Sequence, residues 1–151
     1  MTICIAAACE DKDEKYIVVA TDRMLTARPM NIEFEADYAK VIELTDNCIV
    51  TTSGSAIAFT PLLRDVTIEI RRESTKDIDK IVELIRRSYL KIRNKRIEEE
   101  VLFPIGLTLQ DYYRNQQGLN QQVISVALQN MARYDYELWI LIAGVDDKGP
   151  H

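Results

Sequence analysis

Thr2 follows the initiator Met1. A small residue at the second position generally permits removal of the methionine, which leaves a free N-terminal threonine. Its hydroxyl can attack a carbonyl carbon while its own α-amine takes the proton. An α-amine titrates near ~7.7–8, so it is an available base at neutral pH without an imidazole. The single histidine, His151, is the last residue, which removes histidine-based triads and multi-histidine metal sites from consideration. Three further residues fit the same chemistry. An ammonium such as that of Lys40, placed beside the amine, disfavours its protonation. A carboxylate such as Asp22 fixes that lysine through a charge-assisted hydrogen bond. Gly54, at a strand-to-helix junction, offers a backbone N–H to an oxyanion. Each has a plainer reading: an ordinary chain start for Thr2, a surface ion pair for Asp22 and Lys40, and a turn for Gly54. Thr21, Ser53 and Ser55 are second-rank polar candidates.

The elements that must position these groups follow from the apolar pattern. Residues 2–9 (TICIAAAC) form a short apolar run whose length and flanks favour a buried strand. The charged segment 10–15 predicts a turn, and 16–21 (YIVVAT) a second strand rich in β-branched residues. Residues 22–40 are mixed and polar, with Pro29 as a breaker. Residues 41–44 and 48–52 read as two strands around an Asp46-Asn47 turn, and Ser53-Gly54-Ser55 closes the strand section. Phe59, Leu62, Leu63, Val66 and Ile70 then make one helical stripe, with Thr60 as its N-cap and Pro61 at its first position. Ile78, Ile81, Val82, Ile85, Tyr89 and Ile92 make a second stripe, on a helix that starts after Ser74 or Thr75 and extends to about Glu100. Pro104 and Gly106 break the chain, and residues 110–122 have no clear assignment. Residues 121–133 predict a third helix with Val123, Val126, Ala127 and Met131 on one side, and 136–145 (YELWILIAGV) a strong strand. Asp146 to Gly149 is a turn with no partner strand after it. The expectation is a fragment, a truncated paralogue or a sheet completed by a neighbour, or else a last strand that pairs only with the N-terminal hairpin.

Composition bounds the function. The chain has 151 residues, 47% of them hydrophobic and 28% charged, with a net charge of -5. That suits one globular domain spanning 1–151 and argues against a nucleic-acid binder. Arg86, Arg87, Lys91, Arg93, Lys95 and Arg96 are diluted by Glu83, Glu98, Glu99 and Glu100 and read as a solvated helix face. Cys4, Cys9 and Cys48 lack metal-ligand spacing and suit a reducing cytoplasm. There is no secretory signal pattern and no apolar run long enough to span a membrane. No cofactor or metal is implied.

The segments TICIAAAC, VVATDRMLT and AKVIELTDNCIVTTSGSA together resemble the opening third of proteasome β-subunits and their bacterial and archaeal relatives. In that family an N-terminal threonine starts the first strand, an aspartate follows the second, a lysine precedes the next strand of the pattern, and a glycine ends the strand before the first helix. The interval from Lys40 to Gly54 needs no gap, and ELWILIAGVDDKGP resembles the family's later strand and turn. The likeness covers roughly residues 2–70 and 136–150, whereas 97–135 do not follow the pattern and read as an insertion. It implies an α+β N-terminal-nucleophile (Ntn) hydrolase fold, a four-layer αββα sandwich of antiparallel sheets flanked by helices, here incomplete at its C-terminal end. It also implies Thr2 as nucleophile, Asp22 and Lys40 as its charge network, Gly54 as oxyanion donor, a peptide or amide substrate, and a homo-oligomer. Three functions compete. The first is a threonine hydrolase working through an acyl-threonine, with a connectase-type transamidase as its variant. The second is a non-catalytic proteasome-like subunit. The third is an α/β domain of unrelated role, in which Asp22 and Lys40 lie far from the chain start.

Overall fold

A computed structural model of the chain describes residues 3–11, 14–27, 32–35, 40–54 and 56–151. The described chain is mixed α+β, with antiparallel sheets and four α-helices. Its contacts divide it into two compact units, Met1–Ile85 with Glu137–His151, and Arg86–Tyr136.

In the first unit, β1 (Cys4–Asp11) and β2 (Glu14–Thr21) form an antiparallel ribbon in which Cys4 faces Thr21 and Asp11 faces Glu14. The ladder therefore runs through Glu10, Asp11, Glu14 and Lys15, where the charge pattern predicts a turn. Glu10 and Lys15 are directly opposite and of opposite sign, which favours the pairing there. The polar segment after Asp22 holds a second hairpin that periodicity does not reveal, β3 (Met24–Ala27) paired with β4 (Ile32–Glu35). Four residues per strand give too few alternations to stand out.

The main sheet is antiparallel in the order β5-β6-β7-β8, with β5 at Val41–Thr45, β6 at Cys48–Gly54, β7 at Leu138–Asp146 and β8 at Gly149–Pro150. Two expectations are corrected here. The last long strand pairs with β6 in the sheet, not with the N-terminal hairpin alone. The turn after Asp146 does lead into a partner, since β8 pairs with β7 and His151 exchanges backbone hydrogen bonds with Gly144. The β1–β2 ribbon contacts β5, β6, β7 and β8.

Helix α1 spans Ala56–Glu73, so Pro61 lies inside it and Thr60 is not its N-cap. The helix begins upstream of the proline because Ala58 belongs to the buried face with Leu62, Val66 and Ile70. Pro61 is the sixth residue of the helix, so it gives up an intrahelical bond to the carbonyl of Ile57 in the second turn. Helix α2 spans Ile78–Ile97. Asp77 is its cap, since its Oδ1 accepts the Lys80 N–H at 3.0 Å. Asp146 Oδ2 on β7 takes the Ile78 N–H at 3.2 Å. The sheet face bearing Cys48, Val50 and Gly144 packs on this helix start. A Cβ on Gly144 would sit 2.4 Å from Ile78 Cδ1 and 2.6 Å from the Asn47 carbonyl, so only glycine fits. Asn47 ties the same corner together, donating from Nδ2 to the carbonyls of Lys76 (2.9 Å) and Val145 (2.8 Å).

The second unit takes the rest of α2, a π-helical turn Glu98–Leu102, a 3-10 turn Phe103–Ile105, α3 (Leu109–Arg114) and α4 (Gln121–Arg133). Thr108 and Asp111 form a reciprocal capping box on α3, and the Asn120 side chain caps α4 through the Gln122 N–H at 2.8 Å. Arg93 satisfies the far end of α4, donating to the carbonyls of Met131 (2.7 Å) and Tyr134 (3.2 Å). The core joins Ile97, Leu102, Tyr112, Ala127 and Met131, with Ile124 packed against it. The expected α4 stripe is thus split. Ala127 and Met131 are buried, whereas Val123 and Val126 are exposed. Among the described residues, no helix is long and apolar enough to cross a membrane.

Candidate functional site

The β1–β2 ladder is the starting point. Its last pair is Cys4 with Thr21, and one more backbone bond continues it, from the Asp22 N–H to the Ile3 carbonyl at 3.1 Å. The carboxylate of Asp22 then turns back on the same residue, and its Oδ2 accepts the Ile3 N–H. Its Oδ1 accepts the Met24 N–H at 2.9 Å, a side-chain-to-backbone turn that redirects the chain from β2 into β3.

Lys40 closes the arrangement. It immediately precedes β5, whose register is fixed by Val41 opposite Thr51 on β6. The lysine is 6% exposed, and its Nζ donates to Asp22 Oδ1 at 2.5 Å and to the Met24 carbonyl at 2.6 Å. The Lys40 hydrogen bond first, then that from Ile3, holds the Asp22 carboxyl below its ordinary range, against a smaller upward push from burial. Asp22 is thus a fixed anion that joins three separate pieces of chain.

The candidate residues fare unequally. Asp22 and Lys40 are brought together, and Asp22 is bonded to the backbone of Ile3, the residue after Thr2. Thr2 itself lies outside the described residues, as does Ser55. Gly54 ends β6 opposite Leu138 at φ 105°, a conformation that favours glycine. A Cβ there would lie 1.7 Å from the Glu137 carbonyl oxygen, so close backbone approach by itself requires glycine at this position. Thr21 and Ser53 sit at the ends of β2 and β6, both half-buried.

Two contributors are invisible to side-chain reasoning, because Ile3 and Met24 act through backbone groups. The only sequence signal is an aspartate at a strand end two residues before the next strand, the pattern of an Asx turn. Thr51 on β6, opposite Val41, is 2% exposed, and its hydroxyl has no hydrogen-bond partner among the described residues. Among the described residues, no cluster of three or more histidine, cysteine or carboxylate side chains could hold a metal ion. Cys48 is a buried thiol pushed up to about 11 by desolvation, so it is not a nucleophile near neutral pH. The chain matches no model of a known protein family and no curated protein sequence.

Proposed function

We propose that the chain is a proteasome-like N-terminal-nucleophile protein in which Thr2, exposed by removal of Met1, cleaves an amide bond. One observation carries this reading: Asp22 joins the Lys40 ammonium to the backbone of Ile3, the residue directly after the candidate nucleophile. The antiparallel sheet with two successive helices after β6 supports the sandwich fold implied by the sequence resemblance.

The chemistry would run as follows. The free α-amine of Thr2 removes the proton from its own hydroxyl as Oγ attacks the carbonyl carbon. The positive charge of Lys40 favours the neutral amine, and Asp22 keeps that charge in place. The tetrahedral intermediate expels the substrate nitrogen, which leaves with the proton carried by the amine, and an ester forms on Thr2. Water, deprotonated by the same amine, attacks the ester and releases a carboxylic acid and the regenerated hydroxyl. A second amine in place of water would give transamidation.

The non-catalytic subunit is the second reading, and two observations favour it. Glycine at position 54 is required by the Glu137 carbonyl alone, and the Lys40–Asp22–Met24 cluster also serves as a buried brace for the β2-to-β3 turn. Intact-mass measurement separates the two. The hydrolase reading expects loss of Met1 on expression, then a covalent adduct on Thr2 with an electrophilic peptide and none on Thr2→Ala. A Met-free protein that stays unlabelled establishes the non-catalytic reading instead.

A further inference from the structure

The main sheet has two outer edges, β5 on one side and, where the two-residue β8 stops, β7 on the other. They are finished differently. On β5 the register shifts between Glu43 and Thr45, and Glu43 is exposed. A bulge and a charge are ordinary means by which an edge refuses a further strand. Along 138–145 (LWILIAGV) β7 has neither. That stretch holds no charge and no proline, and its register with β6 runs unshifted from Gly144 opposite Cys48 to Leu138 opposite Gly54. On its far side β8 pairs only with Val145 and Asp146, and His151 adds one step by exchanging backbone hydrogen bonds with Gly144 at 3.3 and 2.8 Å.

Alternation fixes what the rest of that edge offers. In an antiparallel ladder successive residues turn their N–H and C=O groups to opposite sides. The Val145 N–H goes to the Asn47 carbonyl on the β6 side at 3.0 Å, and the Gly144 groups go to the β8 side. The backbone groups of Ile142, Ile140 and Leu138 therefore point the way those of Gly144 do, past the end of β8. Among the described residues no strand meets them. A row of N–H and C=O groups at strand spacing is complementary to the backbone of another extended chain. The flanking side chains set its character. Ile140 and Ile142 are half-buried on the face that bears Val50, whereas Trp139 (64% exposed) and Leu141 (36%) stand on the opposite face. We propose that this edge is a strand-docking site, taking an extended peptide rich in β-branched side chains, antiparallel to β7 and end to end with β8. The inference is independent of the hydrolase reading and does not involve Thr2, Asp22 or Lys40.

Trp139, the sole tryptophan, reports the docking, because a strand laid on this edge shields its exposed ring and moves its emission to shorter wavelength. The full chain is titrated with a short peptide of alternating valine and threonine that carries a lysine at each end, and with the same peptide methylated on every backbone nitrogen. The plain peptide should shift the emission saturably. The methylated one has lost its donors and should bind more than about tenfold more weakly. Ile140→Pro removes an N–H that points away from β6, so the β6–β7 ladder and the far-UV circular dichroism should survive, while the plain peptide binds more weakly by a similar factor. Should the proline disturb the fold, the methylated peptide on the unchanged chain decides alone. No saturable shift with the plain peptide overturns the proposal, as does equal binding of the methylated peptide or equal binding to a folded Ile140→Pro. So does a chain that sediments as a dimer and becomes single in Ile140→Pro, since the edge then belongs to a second copy.

Discussion

Replacing Lys40 with methionine keeps the length and apolar stem of the side chain and removes only the ammonium. The lysine is 6% exposed and gives charge-assisted hydrogen bonds to Asp22 Oδ1 and to the Met24 carbonyl. Breaking a buried ion pair from one side costs about 3–5 kcal/mol, because the partner charge stays behind. Here Asp22 is 22% exposed and keeps the N–H groups of Ile3 and Met24, so the abandoned carboxylate remains partly solvated. The lower end, about 3 kcal/mol, follows for Lys40→Met. With a urea slope of about 1.5 kcal/mol per molar, the unfolding midpoint should fall by about 2 M. Trp139, the only tryptophan, lies on β7 in the same unit and reports the transition alongside circular dichroism. The pH dependence carries a second signature. The folded Asp22 carboxyl sits below its ordinary range, so its contribution is present above that range and is lost as pH falls through the lowered value. Without Lys40 the largest cause of the shift is gone, and the acid-induced loss should begin at higher pH. In a double-mutant cycle with Asp22→Asn, the pair should cost less than the sum of the singles. A midpoint shift smaller than about 0.5 M would refute the view that this pair braces the fold.

Gly54→Ala forces a side chain into a positive-φ position and against the Glu137 carbonyl, so it should cost more than about 3 kcal/mol in the same urea assay. Thr51→Val removes a buried hydroxyl that has no hydrogen-bond partner among the described residues. It should be neutral or raise stability by about 1 kcal/mol, and marked destabilisation would mean the hydroxyl is bonded in solution. Asp146 is pushed up by burial, but hydrogen bonds from His151, Lys148 and Ile78 outweigh that and bring it to about 2. Its support of the α2 start should therefore persist below pH 3.8 and fade as pH approaches 2, a dependence that acid titration of Asp146→Asn should lack.

The parts of this structure that could be read from the residues are those governed by local pattern. The limits of α4 follow from its periodicity, and β5, β6 and β7 from their β-branched runs and the turn between them. What escaped depends on partners distant in sequence. The β3–β4 hairpin is too short to carry a period, and α1 runs back through Pro61 because Ala58 finds a buried place. Periodicity finds an apolar face on α4 but does not say what covers it, which is why Val123 and Val126 look like core and are exposed. Asp22 and Lys40 can be paired by chemical complementarity alone. The reason for Gly54 lies in a carbonyl more than eighty positions along the chain.

The bond between Asp22 and the Ile3 backbone has a practical side. It grips the chain one position beyond Thr2, through a peptide N–H that is present whatever precedes that threonine. An affinity tag fused ahead of Met1 would leave this grip unchanged while locking the threonine nitrogen into an amide. Protein purified on such a tag would fold normally and, on the hydrolase reading, turn over nothing. A tag at the opposite terminus is therefore the appropriate choice for any activity screen.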